Sequence, residues 1–231
     1  MPNGAKTHKY LDLLTAGFVA SLLVTGTVAS KLFAPMGGMI FNGGALFIPI
    51  NYMLGCVLTE VYGYARARRV IWVGFLAAAF MSLSYWVVGQ IPPAPTWPHQ
   101  LAYEAILGAV PRIVAASLTA YVLGEFTNSF LIAKLKIMTR GRHLWVRSIG
   151  SLLAGQAVDT VVFGLLAFYG TQTLGVIAAF SVSIYFLKMA IGIMATPLVY
   201  KFANFLKQTE NEDYFDVGTN FNPFALSREP R

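Results

Sequence analysis

The sequence predicts an all-α, polytopic membrane protein with six transmembrane helices, both termini in the cytoplasm and a second helix irregular at its start. Three observations predict it. The 231 residues are 56% hydrophobic and only 12% charged, with a mean hydropathy of +0.61, whereas about a quarter of an ordinary globular domain is charged. Six apolar stretches are each long enough to cross ~30 Å of hydrocarbon at about 1.5 Å per residue. The cations between those stretches fall almost entirely on one side.

The first span, 11–29, lacks a small-x-small exit site leading into a soluble domain, so it reads as a helix that stays in the membrane rather than a cleaved leader. The second, 44–62, is interrupted by Pro49 and Asn51 and entered through Gly37, Gly38, Gly43 and Gly44. That pattern predicts a broken start, tolerated at membrane depth only where the backbone faces protein or a cavity. The third span is 70–89, and Pro92, Pro93, Pro95 and Pro98 stiffen the external loop that follows it. The fourth, fifth and sixth spans are 103–123, 148–169 and 174–200. From Gln208 the chain turns polar and acidic through Glu210, Glu212, Asp213 and Asp216. Residues 1–207 are therefore read as the transmembrane domain, and 208–231 as a mobile acidic cytoplasmic tail.

Orientation follows from the cations. Lys6 and Lys9, then Arg66, Arg68 and Arg69, then Lys134, Lys136, Arg140, Arg142 and Arg147, and finally Lys201, Lys207, Arg228 and Arg231 all fall on one side. The other side has Lys31 alone, with Arg112 and Lys188 inside the membrane. By the positive-inside rule that first side is cytoplasmic. The same rule accounts for the net charge of +7 without a nucleic-acid partner.

Composition also narrows the chemistry. Cys56, the only cysteine, lies in an apolar run, which excludes a disulfide framework or thiolate metal cluster and suits a small buried side chain. His8, His99 and His143 fall in the amino terminus and the loops, so no Ser–His dyad forms at membrane depth. No HExxH motif or carboxylate–His cluster offers a metal site. The chain is therefore read as a non-enzyme, with no catalytic residue, metal or cofactor.

The informative residues are the ionisable ones at membrane depth: Glu60, Arg112, Glu125, Asp159 and Lys188. Each costs roughly 2.5–3.5 kcal/mol at the centre of a membrane helix. Such residues either pair to fix helix register or serve a polar cargo. Arg112, Asp159 and Lys188 form a middle tier, in which Asp159 can pair with either cation; Glu60 and Glu125 lie nearer the cytoplasmic ends of their helices. Spacing i, i+3 puts Gln156 with Asp159, Glu125 with Asn128 and Tyr185 with Lys188 on shared faces. An acid–amide pair, an aromatic ring and a cation are the groups that recognise a planar heterocycle. Gly150 with Ala154, and Ser151 with Gly155, supply the small-xxx-small spacing of close helix contacts.

The run Leu58-Thr59-Glu60-Val61-Tyr62-Gly63-Tyr64-Ala65-Arg66-Ala67-Arg68-Arg69 resembles the signature that follows the second helix of the queuosine precursor transporters, also called the vitamin uptake transporter family. Pro111-Arg112-Ile113, Gly124-Glu125-Phe126-Thr127-Asn128-Ser129, Gly155-Gln156-Ala157-Val158-Asp159-Thr160 and Tyr185-Phe186-Leu187-Lys188 are similar to the same family in the same order. The terminal Asn220-Phe221-Asn222-Pro223-Phe224 also resembles some members. The resemblance implies an inner-membrane importer of 7-deazaguanines, namely 7-cyano-7-deazaguanine, 7-aminomethyl-7-deazaguanine or queuine, for queuosine salvage in transfer RNA.

On that reading a carboxylate accepts the N1–H and exocyclic amino group of the base, with Asp159 leading and Glu60 second. Gln156 or Lys188 meets the carbonyl, and Arg112 keeps Asp159 ionised. Tyr185 and Phe163 are the stacking candidates, although Phe163 also suits core packing. Two other classes stand beside the transporter. One is a binding subunit that works only with an ATP-driven energising complex, docked through Ala16, Gly17, Ala20 and Val24. The other is a structural or regulatory membrane protein, which the buried charges disfavour. A homo-oligomer or an energising complex is left open as partner.

Overall fold

The computed structural model describes residues 8–33, 41–108, 111–170 and 172–225, with the side chains of 32–33, 41–42 and 111–113 outside that description. Gly37, Gly38 and the ends of the chain lie outside the described residues. The order is α1 (Leu11–Val28), a two-residue antiparallel pairing of Leu32–Phe33 with Phe41–Asn42, a 3-10 turn (Gly43–Phe47), α2 (Ile48–Tyr62), α3 (Tyr64–Gly89), α4 (Gln100–Leu107), α5 (Pro111–Met138), α6 (Leu144–Phe168) and α7 (Leu174–Glu210). The protein is helical, and five helical stretches among the described residues are long and apolar enough to cross a membrane: α1, the 3-10 turn with α2, α3, α6 and α7.

The irregular entry to the second span is present. A 3-10 turn precedes α2, and Pro49 sits in the first turn of α2, where its missing N–H has no intrahelical acceptor to lose. Asn51 turns its amide to α1 and donates to Thr25 Oγ1 at 2.9 Å. The expected fourth span, 103–123, is not one helix. Gly108 ends α4, and α5 starts at Pro111, whose ring cannot continue a preceding helix but suits a first turn.

The helices also run past the apolar stretches that revealed them. Gly63, at φ +85°, separates α2 from α3 with no further linker, because a residue with a Cβ would run into the Tyr214 ring. Arg66, Arg68 and Arg69 therefore ride on the first turns of α3, not on a loop. Lys134 and Lys136 lie within α5, and Arg147 lies within α6. The last helix continues ten residues beyond 200, so the sequence boundary at 207 falls inside α7.

At the centre is α2. Leu54 through Tyr62 are all buried, against α1, α3, α5 and α7. The largest interhelical contact joins α5 and α6, and α7 closes on α6 and α2. Outward faces carry large apolar side chains such as Leu76, Phe80, Phe186 and Met194. That is the arrangement expected where lipid replaces water and where packing, not hydrophobic burial, selects helix contacts.

Candidate functional site

Two polar groups form along the central helices. The first surrounds Glu60, whose side chain is fully buried near the end of α2. Arg147 from α6 and Lys207 from α7 each place a nitrogen 2.6 Å from Glu60 Oε1. Lys136 from α5 lies 3.7 Å from the same oxygen and donates to the Glu60 carbonyl at 2.5 Å. Arg147 also donates to the Arg142 carbonyl at 2.5 Å. Both Lys136 and Arg147 are at most 1% exposed, a state that charged side chains hold only when paired.

The chain beyond α7 completes this end of the bundle. Asp213 accepts from Lys136 at 2.6 Å and pairs with Lys207 at 3.0 Å. Burial alone would raise the Asp213 carboxyl, but hydrogen bonds from Lys136 and Lys207, with their charges, outweigh it and hold the group below the usual aspartate range. Asp216 accepts from the Tyr64 backbone N–H with both oxygens, at 3.0 and 3.1 Å, at the free amino end of α3. Buried Arg68 donates to the carbonyls of Asn220 and Asn222 at 2.7 and 2.9 Å, and Trp72 Nε1 donates to that of Pro223 at 2.8 Å. The Asn-Phe-Asn-Pro-Phe run thus lies against α3, with Lys134 of α5 over the Phe221 ring at 4.4 Å.

The second group lies elsewhere along the bundle, between α5, α6 and α7. Lys188 donates to Asp159, so the middle-tier acid takes its cation from α7. Arg112 is on the first turn of α5, and its side chain lies outside the described residues. Glu125 and Asn128 are brought onto α6 and α2. A Cβ at Gly124 would stand 2.8 Å from the Asp159 Cβ, and one at Gly155 would stand 2.9 Å from the Asn128 Cβ. On α2, a Cβ at Gly55 would stand 3.1 Å from Glu125 Oε2, so glycine there leaves room for the carboxylate. Buried Glu125 Oε2, Asn128 Oδ1, Gln156 Oε1 and Thr160 Oγ1 have no hydrogen-bond partner. Among the described residues no salt bridge reaches Glu125.

The structure therefore unites Asp159 with Lys188 and gathers Glu125, Asn128 and Gln156 nearby, while Glu60 belongs to the first group. Gly55 and Glu60 are five residues apart on α2, ~7.5 Å of helix rise, and this offset separates the two groups. Tyr185 Oη donates to the Leu153 carbonyl at 3.2 Å, tying α7 to α6. Phe163 meets Phe168 edge-on at 5.8 Å, a packing contact. Cys56 is free and buried. Sequence reasoning missed Lys136, Arg147 and Lys207 as partners of Glu60, having read them as orientation signals. The available clue was the acid itself, since an acid at the end of a buried helix needs a cation from its neighbours. An apolar hollow lined by Val88, Ile91, Pro92, Trp97 and Tyr103 lies at the C-terminal end of α3, apart from both groups.

Residues 42–202 match a family model described as "Putative vitamin uptake transporter". Named relatives are similar over most of the chain. A "Probable queuosine precursor transporter" of Bacillus subtilis (strain 168) is 30% identical over 185 residues, 78% of this chain and 77% of the relative. The "Queuosine precursor transporter" of Escherichia coli (strain K12) is 24% identical over 166 residues, 71% of this chain and 72% of the relative. No solved structure matches.

Proposed function

From a chain that belongs to the vitamin uptake transporter family, with several helices suited to a multi-pass membrane protein, we propose a transporter that imports queuosine precursors across the cytoplasmic membrane. One observation carries the reading. Within the family-matched segments, Glu125, Asn128, Gln156, Asp159 and Lys188 converge from three helices at membrane depth, and several of their polar atoms lack partners. Around Glu60 the atoms left unpartnered belong to side chains already held in ion pairs, whereas here the surplus is of acceptors at an acid that no cation reaches among the described residues, and each buried polar group left unpaired is costly. A cargo that hydrogen-bonds accounts for it.

The cargo class is a 7-deazaguanine, held near Asp159, Lys188, Gln156, Glu125, Asn128 and Tyr185. Glu60 and its three cations are assigned to closing one end of the bundle. That end also gathers Arg68, Lys136, Arg147 and Lys207, which supports placing it in the cytoplasm with both termini, and α5 then serves as the sixth crossing. The test is restoration of queuosine in the transfer RNA of a strain unable to make its precursors. Feeding 7-cyano-7-deazaguanine should restore queuosine when this protein is expressed. If the protein is folded, the downstream enzymes work and queuosine stays absent, the reading falls.

A second reading, a binding subunit driven by an energising partner, is favoured by the open face of α1. Ala16, Gly17, Ala20 and Val24 are exposed there, and nothing lies within 4 Å of a Cβ at Gly17. Uptake in a host without any energising complex would exclude it.

A further inference from the structure

Resting on the transport reading above, we infer that Glu125 is the carboxylate that accepts the donor edge of the cargo, and so sets its specificity. The reason lies in where the membrane-depth acids spend their charge. Glu60 is bound by Arg147 and Lys207 with Lys136 behind them. Asp159 is bound by Lys188. Glu60 and Glu125 each keep one buried oxygen with no partner, but cations hold the other oxygen of Glu60, whereas Glu125 has no cation among the described residues.

The groups beside it have the same polarity. Asn128, itself more than nine-tenths buried, leaves Oδ1 unpartnered one helical turn away on α5, and Gln156 leaves Oε1 unpartnered on the facing α6. The Asn128 side chain hydrogen-bonds Glu125, and what remains unpartnered at the locus is acceptor oxygen. A ligand that satisfies it carries adjacent N–H groups, as the ring N–H and exocyclic amino group of a guanine-type base do, and a carboxylate takes such a pair through both oxygens. An edge offering an acceptor in place of the amino group would leave these oxygens unpaired.

The position is also built. Gly55 on α2 makes room for Oε2, the Gly124–Gly155 contact holds α5 close to α6, and the residue is partly exposed although its Oε2 is buried. The acid is therefore held in place between α2, α5 and α6. Asp159 keeps a different task, holding Lys188 in place.

The test is equilibrium binding to the purified full-length protein, with 7-cyano-7-deazaguanine and its counterpart lacking the exocyclic amino group as the two probes. The wild type should prefer the amino-bearing probe by about tenfold or more. Glu125→Gln replaces one acceptor oxygen with a donor and should reduce that preference to within about twofold. Gly55→Ala, which leaves the acid in place but crowds it, should lower the preference part of the way and serves if Glu125→Gln does not fold. Asp159→Asn should weaken both probes without removing the ratio. Undiminished preference in Glu125→Gln or Gly55→Ala overturns the assignment alone, as does a wild type that binds both probes equally. A wild type that binds neither probe takes the transport reading down with it.

Discussion

Gly124 on α5 and Gly155 on α6 are each other's contact. A Cβ on the first would stand 3.1 Å from the carbonyl oxygen of the second, and a Cβ on the second 3.0 Å from that of the first. The neighbours are backbone and Cβ atoms, which cannot rotate out of the way. Gly155→Val should separate the two helices at a cost of about 1–3 kcal/mol, together with the Glu125 and Asn128 positions between them. Thermal unfolding in detergent should show a lower midpoint, and a variant as stable as the wild type would refute the close contact.

Glu60→Gln removes the only carboxylate that Arg147 and Lys207 share among the described residues. Because Glu60 and Arg147 are fully buried, the loss should approach the ~3–5 kcal/mol of a broken buried pair. The double variant Glu60→Gln with Arg147→Met should recover part of it. A purely additive result would show that the two do not interact.

Lys188→Met and Asp159→Asn should each abolish uptake while the protein still inserts. The stability cost should be smaller than at Glu60, of order 1–3 kcal/mol, since both side chains are about a fifth exposed, at 23% and 21%. Normal uptake by Asp159→Asn would remove it as ligand and as counter-ion.

Topology can be read with an impermeant thiol reagent on intact cells after Cys56 is replaced. A cysteine at exposed Thr96 should react, and one at exposed Arg142 should be protected. Arg142 is the better inner probe than its neighbour Gly141, whose φ of +76° and contact with Phe215 would strain a cysteine. The opposite labelling pattern inverts the orientation.

The contacts of Asp213 give a pH dependence with a definite sign. Its carboxyl is held below the ordinary value of 3.8 when folded, so its contribution is present in full above that value. The contribution is lost as pH falls through the lower folded value. The protection of residues 211–225 against hydrogen exchange, taken relative to the intrinsic rate at each pH, should hold at neutral pH and fall only in strongly acidic buffer. In Asp213→Asn protection should be lower already at neutral pH, and unchanged protection would show that the Lys136 and Lys207 contacts do not hold the segment.

Much of this was legible in the residues. The broken entry to α2 followed from Pro49 and its glycines, and the i, i+3 faces of Glu125 with Asn128 and of Gln156 with Asp159 followed from helical spacing. The fourth span was misread because hydropathy averages across Gly108 and Pro111, whereas backbone geometry breaks between them. Helix ends were read short because apolar composition marks only the hydrophobic stretch, while the hydrogen-bonded helix runs on past it with Arg68, Lys136 and Lys207 aboard.

The sequence by itself determined the membrane class, the family and the set of polar residues at depth. Those properties depend on composition and on spacing along one chain. Only the tertiary structure decided which charges meet: Asp159 with Lys188, Glu60 with Arg147 and Lys207, and Glu125 with no cation among the described residues. Pairing depends on how far one helix slides and turns against the next, and that register is set by packing at Gly55, Gly124 and Gly155 between segments distant in the chain. The rise of ~7.5 Å between Gly55 and Glu60 along α2 is legible in the spacing, but which neighbours meet each level, Glu125 at Gly55 and Arg147 and Lys207 at Glu60, is decided between helices.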